Sequence, residues 1–89
     1  MLKRTLRNHK VENIGTFGVQ LTEGSVILGL VYAKGFLWIN TLENTDEKAD
    51  QYVHMVRVAI TGETMLNTYR NYLGSAVCER GTVYSLFEV

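Results

Sequence analysis

The sequence contains no proline, one cysteine and no excess of charge of either sign. The lone Cys78 excludes an intramolecular disulfide framework and a cysteine zinc cluster. Nine basic side chains balance nine acidic ones, so no overall field draws the chain towards nucleic acid or an anionic membrane. Without proline, charge alone protects an edge strand, and we expect an unprotected edge to pair with a second copy of the chain or with another protein.

Long apolar runs are also missing. The longest, Val26–Tyr32, is far shorter than the ~20 residues that a membrane-spanning helix needs. The basic start Met1–Arg7 has no apolar segment behind it, so we expect no secretory signal. With 46% hydrophobic and 20% charged residues, the composition is that of a folded protein, and the length predicts one domain spanning residues 1–89.

The period that the sequence does contain is two residues, which is the period of a β-strand. In Val53–Thr61, the apolar Val56, Val58 and Ile60 alternate with other side chains. Short turn segments separate further strand-like runs and predict two hairpins. The first joins Ser25–Ala33 to Phe36–Leu42, and the second joins Tyr72–Cys78 to Thr82–Val89.

Four other segments have weaker patterns. Lys3–Ile14 and Phe17–Leu21 are predicted to be strands, Asn44–Gln51 is a loop or one helical turn, and Thr64–Asn71 is predicted to be a short helix. The sequence therefore predicts a mainly β fold: a small antiparallel β-sandwich or partly open barrel of about five to seven strands. At most one or two short helical turns accompany the strands.

Six segments match the strand motifs of a known family: Lys3-Arg4-Thr5-Leu6, Gly24-Ser25-Val26-Ile27-Leu28, Leu37-Trp38, Arg57–Gly62, Leu73–Val77 and Tyr84–Glu88. Through them the chain resembles a small bacteriophage and prophage family that is catalogued only as a domain of unknown function. The resemblance implies a small β-rich phage protein and no assigned activity. Glu63-Thr64 stands where the family has a Thr-Gly-His stretch, so no role of that histidine carries over.

The residues that could carry chemistry do not form a recognisable catalytic or metal-binding pattern. His9 and His54 have no metal ligands at suitable spacing, and Cys78 has no histidine near it in sequence. We expect structural or exposed histidines, a thiol packed as a small hydrophobic group, no cofactor, no bound metal and no enzymatic activity. The acidic stretch that contains Glu43 and Asp46 is expected to be a solvated loop, because it lacks the rhythm of a calcium site.

Aromatic residues are numerous for so small a protein. Trp38 and Phe87 are expected in the core, whereas tyrosines left at the surface are typical of binding interfaces. Tyrosines beside arginines could also stack on and clamp a nucleotide. The candidate binding residues are Arg57, Tyr69, Arg70, Tyr72, Arg80 and Tyr84.

These observations favour binding over catalysis. The leading hypothesis is a phage-encoded protein that inhibits or redirects a host protein by stoichiometric binding in the host cytoplasm, with an anti-phage defence protein among the targets. We expect it to act as a homodimer or higher oligomer. Two alternatives fit the same residues: an oligomer that sequesters a small nucleotide signal, and a minor virion or assembly protein. Neither nucleic acid nor a membrane is an expected partner.

Overall fold

The computed structural model of the chain describes residues 3–65 and 69–89, and its seven strands form two antiparallel sheets. The strands are β1 (Arg4–Lys10), β2 (Gly15–Thr22), β3 (Val26–Ala33), β4 (Phe36–Asn44), β5 (Gln51–Ile60), β6 (Asn71–Val77) and β7 (Val83–Glu88). The three-stranded sheet has the order β1-β4-β3, and the four-stranded sheet has the order β2-β5-β7-β6. The predicted mainly β fold is confirmed.

Both predicted hairpins are present, and their turns explain where the chain reverses. Lys34 and Gly35 join β3 to β4 with φ angles of 54° and 80°, as a two-residue turn that matches the twist of the strands requires. Between β6 and β7, a 3₁₀ turn spans Glu79–Gly81, in which Arg80 and Gly81 have φ angles of 69° and 75°. Glycine lowers the steric cost of such angles.

The two sheets approach each other closely where β3 passes β6. The strand register shifts between Ile27 and Gly29 in β3, and between Tyr72 and Gly74 in β6. A Cβ atom at Gly74 would lie 3.5 Å from the Cα atom of Gly29, so the two backbones nearly touch. The sheets therefore join along this side and leave β1 and β2 as outer edges.

The core lies between the inner faces of the two sheets. Ile39 of β4, Val56 and Val58 of β5, and Leu86 of β7 are fully buried. Val19, Leu21, Leu30 and Leu37 complete most of the cluster. Because side chains alternate across a strand, every second residue of these strands points away from this core.

The expectation that Trp38 and Phe87 lie in the core is wrong. Each directly neighbours a buried residue, Ile39 or Leu86, and strand alternation places it on the opposite, outer face of its sheet. Trp38 is half-buried there; its Nε1–H donates a hydrogen bond to the carbonyl of Ala33 at 2.9 Å.

The connection between β4 and β5 is a loop rather than a helical turn. Within it, the Asp46 carboxylate accepts a hydrogen bond from the backbone N–H of Lys48 at 3.0 Å. The predicted short helix at Thr64–Asn71 falls partly outside the described residues, and Asn71 already begins β6. No helix in the described ranges is long and apolar enough to cross a membrane.

Replacing Ile39 by alanine should destabilise the protein by about 3 kcal/mol, because it opens a cavity beneath a fully buried side chain. Leu6 lies on the outer face of the same sheet and is 70% exposed, so Leu6→Ala should cost less than about 0.5 kcal/mol. Urea unfolding of both variants measures the difference. Equal costs would contradict the assignment of the inner and outer faces.

Candidate functional site: the outer face of the four-stranded sheet

The outer face of the four-stranded sheet is apolar because both faces of β5 carry apolar residues. Val56 and Val58 point into the core, so Val53 and Met55 point outward, where they are 61% and 42% exposed. Val77 of β6 lies on the same outer face and is 63% exposed. Apolar side chains of the kind found in the core thus face solvent at several positions of this sheet.

Three aromatic rings form the centre of this face. Phe87 is the cross-strand neighbour of Arg57 on one side and of Tyr72 on the other. The Phe87 ring centroid lies 5.6 Å from that of Tyr72 and 4.7 Å from that of Tyr69, with tilted geometries. Such pairs are favourable beyond their buried area, so the cluster is held together before any partner binds.

A chain of hydroxyl groups fixes the position of Tyr72. Its phenol oxygen lies 2.6 Å from the Ser75 hydroxyl, which lies 2.7 Å from the hydroxyl of Ser85 on β7. These hydrogen bonds cross from β6 to β7 next to the aromatic cluster. Tyr72 is therefore anchored by its ring and by its hydroxyl group, although it is 59% exposed.

Arg57 carries the one charge among the outward-facing strand positions that the structure describes in this sheet. Its guanidinium forms an ion pair with Glu63, whose other oxygen accepts a hydrogen bond from the Ile60 N–H at 3.2 Å. The pair neutralises the charge locally. Together these side chains form a surface, the aromatic face, which consists of Val53, Met55, Arg57, Tyr69, Tyr72, Val77 and Phe87.

Three of the six candidate binding residues lie together on the aromatic face: Arg57, Tyr69 and Tyr72. Arg70 follows Tyr69, and its backbone N–H donates to the carbonyl of Glu88 at 2.6 Å. Tyr84 points to the inner side and packs against the core. Arg80 lies in the turn between β6 and β7, so the six residues do not form one cluster.

The sequence interpretation missed Val53, Met55 and Val77 and assigned Phe87 to the wrong side. The sequence contains one indication of this face. In Val53–Thr61, the positions on the opposite phase to the core residues Val56 and Val58 include Val53 and Met55, which are apolar rather than polar. An apolar residue on both phases of a strand indicates either burial on both faces or an exposed apolar face. Only the three-dimensional register distinguishes the two.

A second cluster, on the inner side of the three-stranded sheet, surrounds Glu43. The expectation of a solvated loop is wrong for this residue, because β4 continues to Asn44 and directs the Glu43 side chain inward. One carboxylate oxygen accepts a hydrogen bond from the Thr41 hydroxyl at 2.6 Å and lies 2.6 Å from His9 Nε2. Arg7 approaches the other oxygen at 3.7 Å.

Two opposed effects set the charge state of Glu43. Burial alone would raise the pKa of its carboxyl group, because a low-dielectric surrounding disfavours the charge. The hydrogen bonds from Thr41 and His9, together with the charges of His9 and Arg7, outweigh burial and lower the pKa below its usual 4.5. The cluster therefore stabilises a buried carboxylate.

His54 forms a similar pair in the other sheet. The Nε2 atom of His54 lies 2.7 Å from one carboxylate oxygen of Glu88. The other carboxylate oxygen of Glu88 accepts a hydrogen bond from the side-chain amide of Asn71 at 2.8 Å. The Asn71 hydrogen bond outweighs burial in lowering the pKa of Glu88, and His54 and Arg70 lower it further. Both histidines thus have carboxylate partners more than thirty residues away in sequence, which local spacing does not reveal.

Other reactive groups are isolated within the described residues. No three histidine, cysteine, aspartate or glutamate side chains in ranges 3–65 and 69–89 come together in a way that would hold a metal ion. Cys78 is half-buried against the core, as its interpretation as a small hydrophobic group predicts. Burial, and to a smaller extent Glu79, raises the pKa of its thiol.

Comparisons with protein-family models, with curated proteins and with solved structures find no match to this chain. The resemblance to the phage family stays a prediction.

The Glu43→Gln variant should be less stable than the unmodified chain by about 1–3 kcal/mol at neutral pH, because it removes a charged acceptor from His9 and Arg7. Since the folded-state pKa of Glu43 lies below 4.5, its stabilisation is present above pH 4.5 and is lost as the pH falls through the folded-state pKa. The two unfolding free energies should therefore converge below pH 4.5.

Urea unfolding over a pH series measures this effect, and Glu47→Gln is the matched control. Glu47 lies exposed in the loop between β4 and β5, so its variant should follow the unmodified chain at every pH. A constant gap between Glu43→Gln and the unmodified chain down to acid pH would contradict the assignment.

Proposed function

We propose that this chain is a binding protein that acts by docking its aromatic face onto another protein. The carrying observation is that Tyr69, Phe87 and Tyr72 form a cluster on a sheet face with Val53 and Met55 exposed towards one end of it. Val77 is exposed towards the other end, beyond the Ser75–Ser85 pair. Exposed apolar surface of this kind marks interaction sites. Tyrosine, phenylalanine, methionine and arginine are the residues that interface centres favour.

Preorganisation supports this proposal. Binding costs free energy when side chains must be immobilised, and Tyr72 is already fixed by Phe87 and by the hydroxyl chain through Ser75. Arg57 is likewise held by Glu63. The aromatic face can therefore bind a partner with little loss of side-chain conformational freedom. Aromatic and arginine side chains of this kind are the ones that dominate interface energetics.

The charge distribution favours a protein partner over a phosphate-bearing one. Nucleic acids and nucleotides are bound through cations that face the ligand, whereas Glu63 neutralises the guanidinium of Arg57 on this face. The basic residues of the N-terminal strand, Arg4, Arg7 and Lys10, belong to the other sheet. An uncharged, apolar partner surface complements the aromatic face best.

The outer face of the three-stranded sheet is less suited to this role. Leu6, Leu42 and Val26 form an apolar row across its strands. Next to this row stand Asn8 and Asn40, which are paired with each other, and Arg4. These polar side chains separate the row from the aromatic pair Phe36 and Trp38 on the same face. The Lys10 ammonium lies 3.7 Å from the centroid of the Phe36 ring, so this aromatic pair carries a charge that no carboxylate neutralises in the contacts described.

The identity of the partner follows from the phage resemblance. On that basis, we propose a bacterial host protein as the target, with defence proteins included, and the host cytoplasm as the place of action. Stoichiometric occupation of the target inhibits or redirects it. Catalysis by this chain is not part of the proposed mechanism.

The Tyr72→Lys variant should lose the partner, because it removes the most exposed ring of the cluster and introduces an unpaired charge. Leu6→Lys is the matched control, since it places the same charge on the outer face of the other sheet at a residue of similar exposure. The tagged chains are purified from a bacterial host, and native mass spectrometry measures the bound protein.

We expect one host protein at a fixed stoichiometry with the unmodified chain and with Leu6→Lys, and roughly a tenfold or greater loss of affinity for that purified protein with Tyr72→Lys. Circular dichroism confirms that both variants are folded. Equal binding by Tyr72→Lys, or no stoichiometric partner on the unmodified chain, would contradict the proposal.

A further inference from the structure

Strand β2 is an edge without the features that normally prevent edge pairing. It lies at the end of the four-stranded sheet, and Gly15–Thr22 contains no charged residue and no proline. Its register with β5 runs without a bulge from Gly15 to Thr22. The edge strand β1, by contrast, carries Arg4, Arg7 and Lys10, and charges of this kind discourage pairing.

The hydrogen bonds of β5 reveal which backbone groups of β2 face outward. Met55 accepts a hydrogen bond from Val89, and Thr61 donates one to Val83, so the odd-numbered residues of β5 bond towards β7. The even-numbered residues of β5 therefore bond towards β2, where they are paired with odd-numbered residues. It follows that the N–H and C=O groups of Thr16, Gly18 and Gln20 point to the open side of β2.

An open cleft separates this edge from β1. The cleft has a volume of about 380 Å³; His9, Lys10, Glu12 and Asn13 line one side of it, and Phe17–Gln20 line the other. β1 therefore leaves the backbone groups at the centre of β2 accessible along the part of the edge that the structure describes.

We propose that β2 pairs antiparallel with β2 of a second copy of this chain, about a two-fold axis at Gly18. In this register Gly18 faces the partner's Gly18, and Thr16 faces the partner's Gln20. Each of these residues exchanges two backbone hydrogen bonds with the residue opposite, which makes about six bonds in total. The two four-stranded sheets become one continuous sheet of eight strands.

The side chains near the axis suit this register. A Cβ atom at position 18 would lie 2.4 Å from Cγ1 of Val53 and 3.4 Å from Sδ of Met55, so these two apolar side chains lean over Gly18. Both are exposed in the single chain. Across the axis, the two copies bring together an apolar strip, and no charged residues of the two β2 strands face each other.

The exposed surface area favours a second copy as the occupant. The chain exposes 6044 Å², whereas a folded monomer of 10.1 kDa is expected to expose ~5,300 Å². The excess, about 750 Å², is close to the ~800 Å² that each partner buries in a standard interface. A short foreign strand at the edge would cover less, and it would lack the two-fold symmetry that most oligomers have.

The proposed dimer and the proposed function share Val53 and Met55, which belong to the aromatic face and also stand beside Gly18. The Tyr72–Phe87 cluster lies across the sheet from β2 and is not part of the dimer interface. Pairing would also place two aromatic faces on the same side of one sheet. A partner with two copies of the target surface would then bind both, which raises its effective affinity.

Analytical ultracentrifugation over a concentration series tests the dimer with three proteins. The unmodified chain should sediment as a dimer, with twice the 10.1 kDa mass of a single chain. Thr16→Lys/Gln20→Lys places lysine opposite lysine in the proposed register and should weaken the dimer at least tenfold. The matched control, Leu6→Lys/Asn8→Lys, places two lysines at outward-facing positions of β1 and should leave the dimer intact.

Hydrogen–deuterium exchange measured by NMR identifies the interface even if the double variant folds poorly. The Gly18 amide should exchange slowly in the dimer, although no strand of its own chain pairs with it. Gln20→Pro provides the second variant: it removes an N–H group that makes no bond within the single chain, and it should release Gly18 to fast exchange. A monomeric unmodified chain, a dimer that both β2 variants retain, or a rapidly exchanging Gly18 amide in the dimer would overturn the proposal.

Discussion

The inner faces of two small sheets offer less space than the apolar side chains of this sequence require. Among the residues that the structure describes, eleven apolar side chains are buried, and twelve large apolar side chains are exposed. The space is limited because β3 and β6 come together at Gly29 and Gly74 and close the sandwich on that side only. Five of the exposed side chains, those of Val53, Met55, Tyr69, Tyr72 and Val77, lie on the outer face of the four-stranded sheet. Two of them, Val53 and Met55, stand beside the edge strand β2. Both proposed interactions use these exposed side chains.

Each of the two sheets contains one histidine–carboxylate pair. His9 of β1 holds Glu43 of β4 inside the three-stranded sheet, and His54 of β5 holds Glu88 of β7 in the other. The Glu43 side chain is 7% exposed, so removing His9 would leave a buried carboxylate with less compensation; both partners of the His54–Glu88 pair are more exposed than Glu43. Each pair links two strands that are distant in sequence.

The two-residue period of the sequence predicts the strands, but it does not specify which face of each strand is buried. Alternation and turn residues sufficed for the β3–β4 and β6–β7 hairpins, since turn geometry is local. The sequence alone does not place Trp38 and Phe87, because a large aromatic residue in an apolar strand fits either face until the partner strands are known. Nor does it indicate that Glu43 is buried, because its partners His9 and Arg7 are brought to it only by the register of β1 with β4. Of the candidate site, Tyr69, Tyr72 and Arg57 were found as residue types typical of interfaces, whereas Val53 and Met55 needed the sheet.

Hydroxyl-radical footprinting tests the central claim, that the aromatic face is the surface that meets another protein. The chain is oxidised alone and in complex with a host protein that copurifies with it, and mass spectrometry measures the modification of each side chain. If the aromatic face meets the partner, Met55, Tyr69 and Tyr72 are strongly protected in the complex, and the oxidation of Phe36 and Trp38 on the other sheet is unchanged. Protection confined to Phe36 and Trp38, with Tyr72 as reactive as before, would contradict the claim.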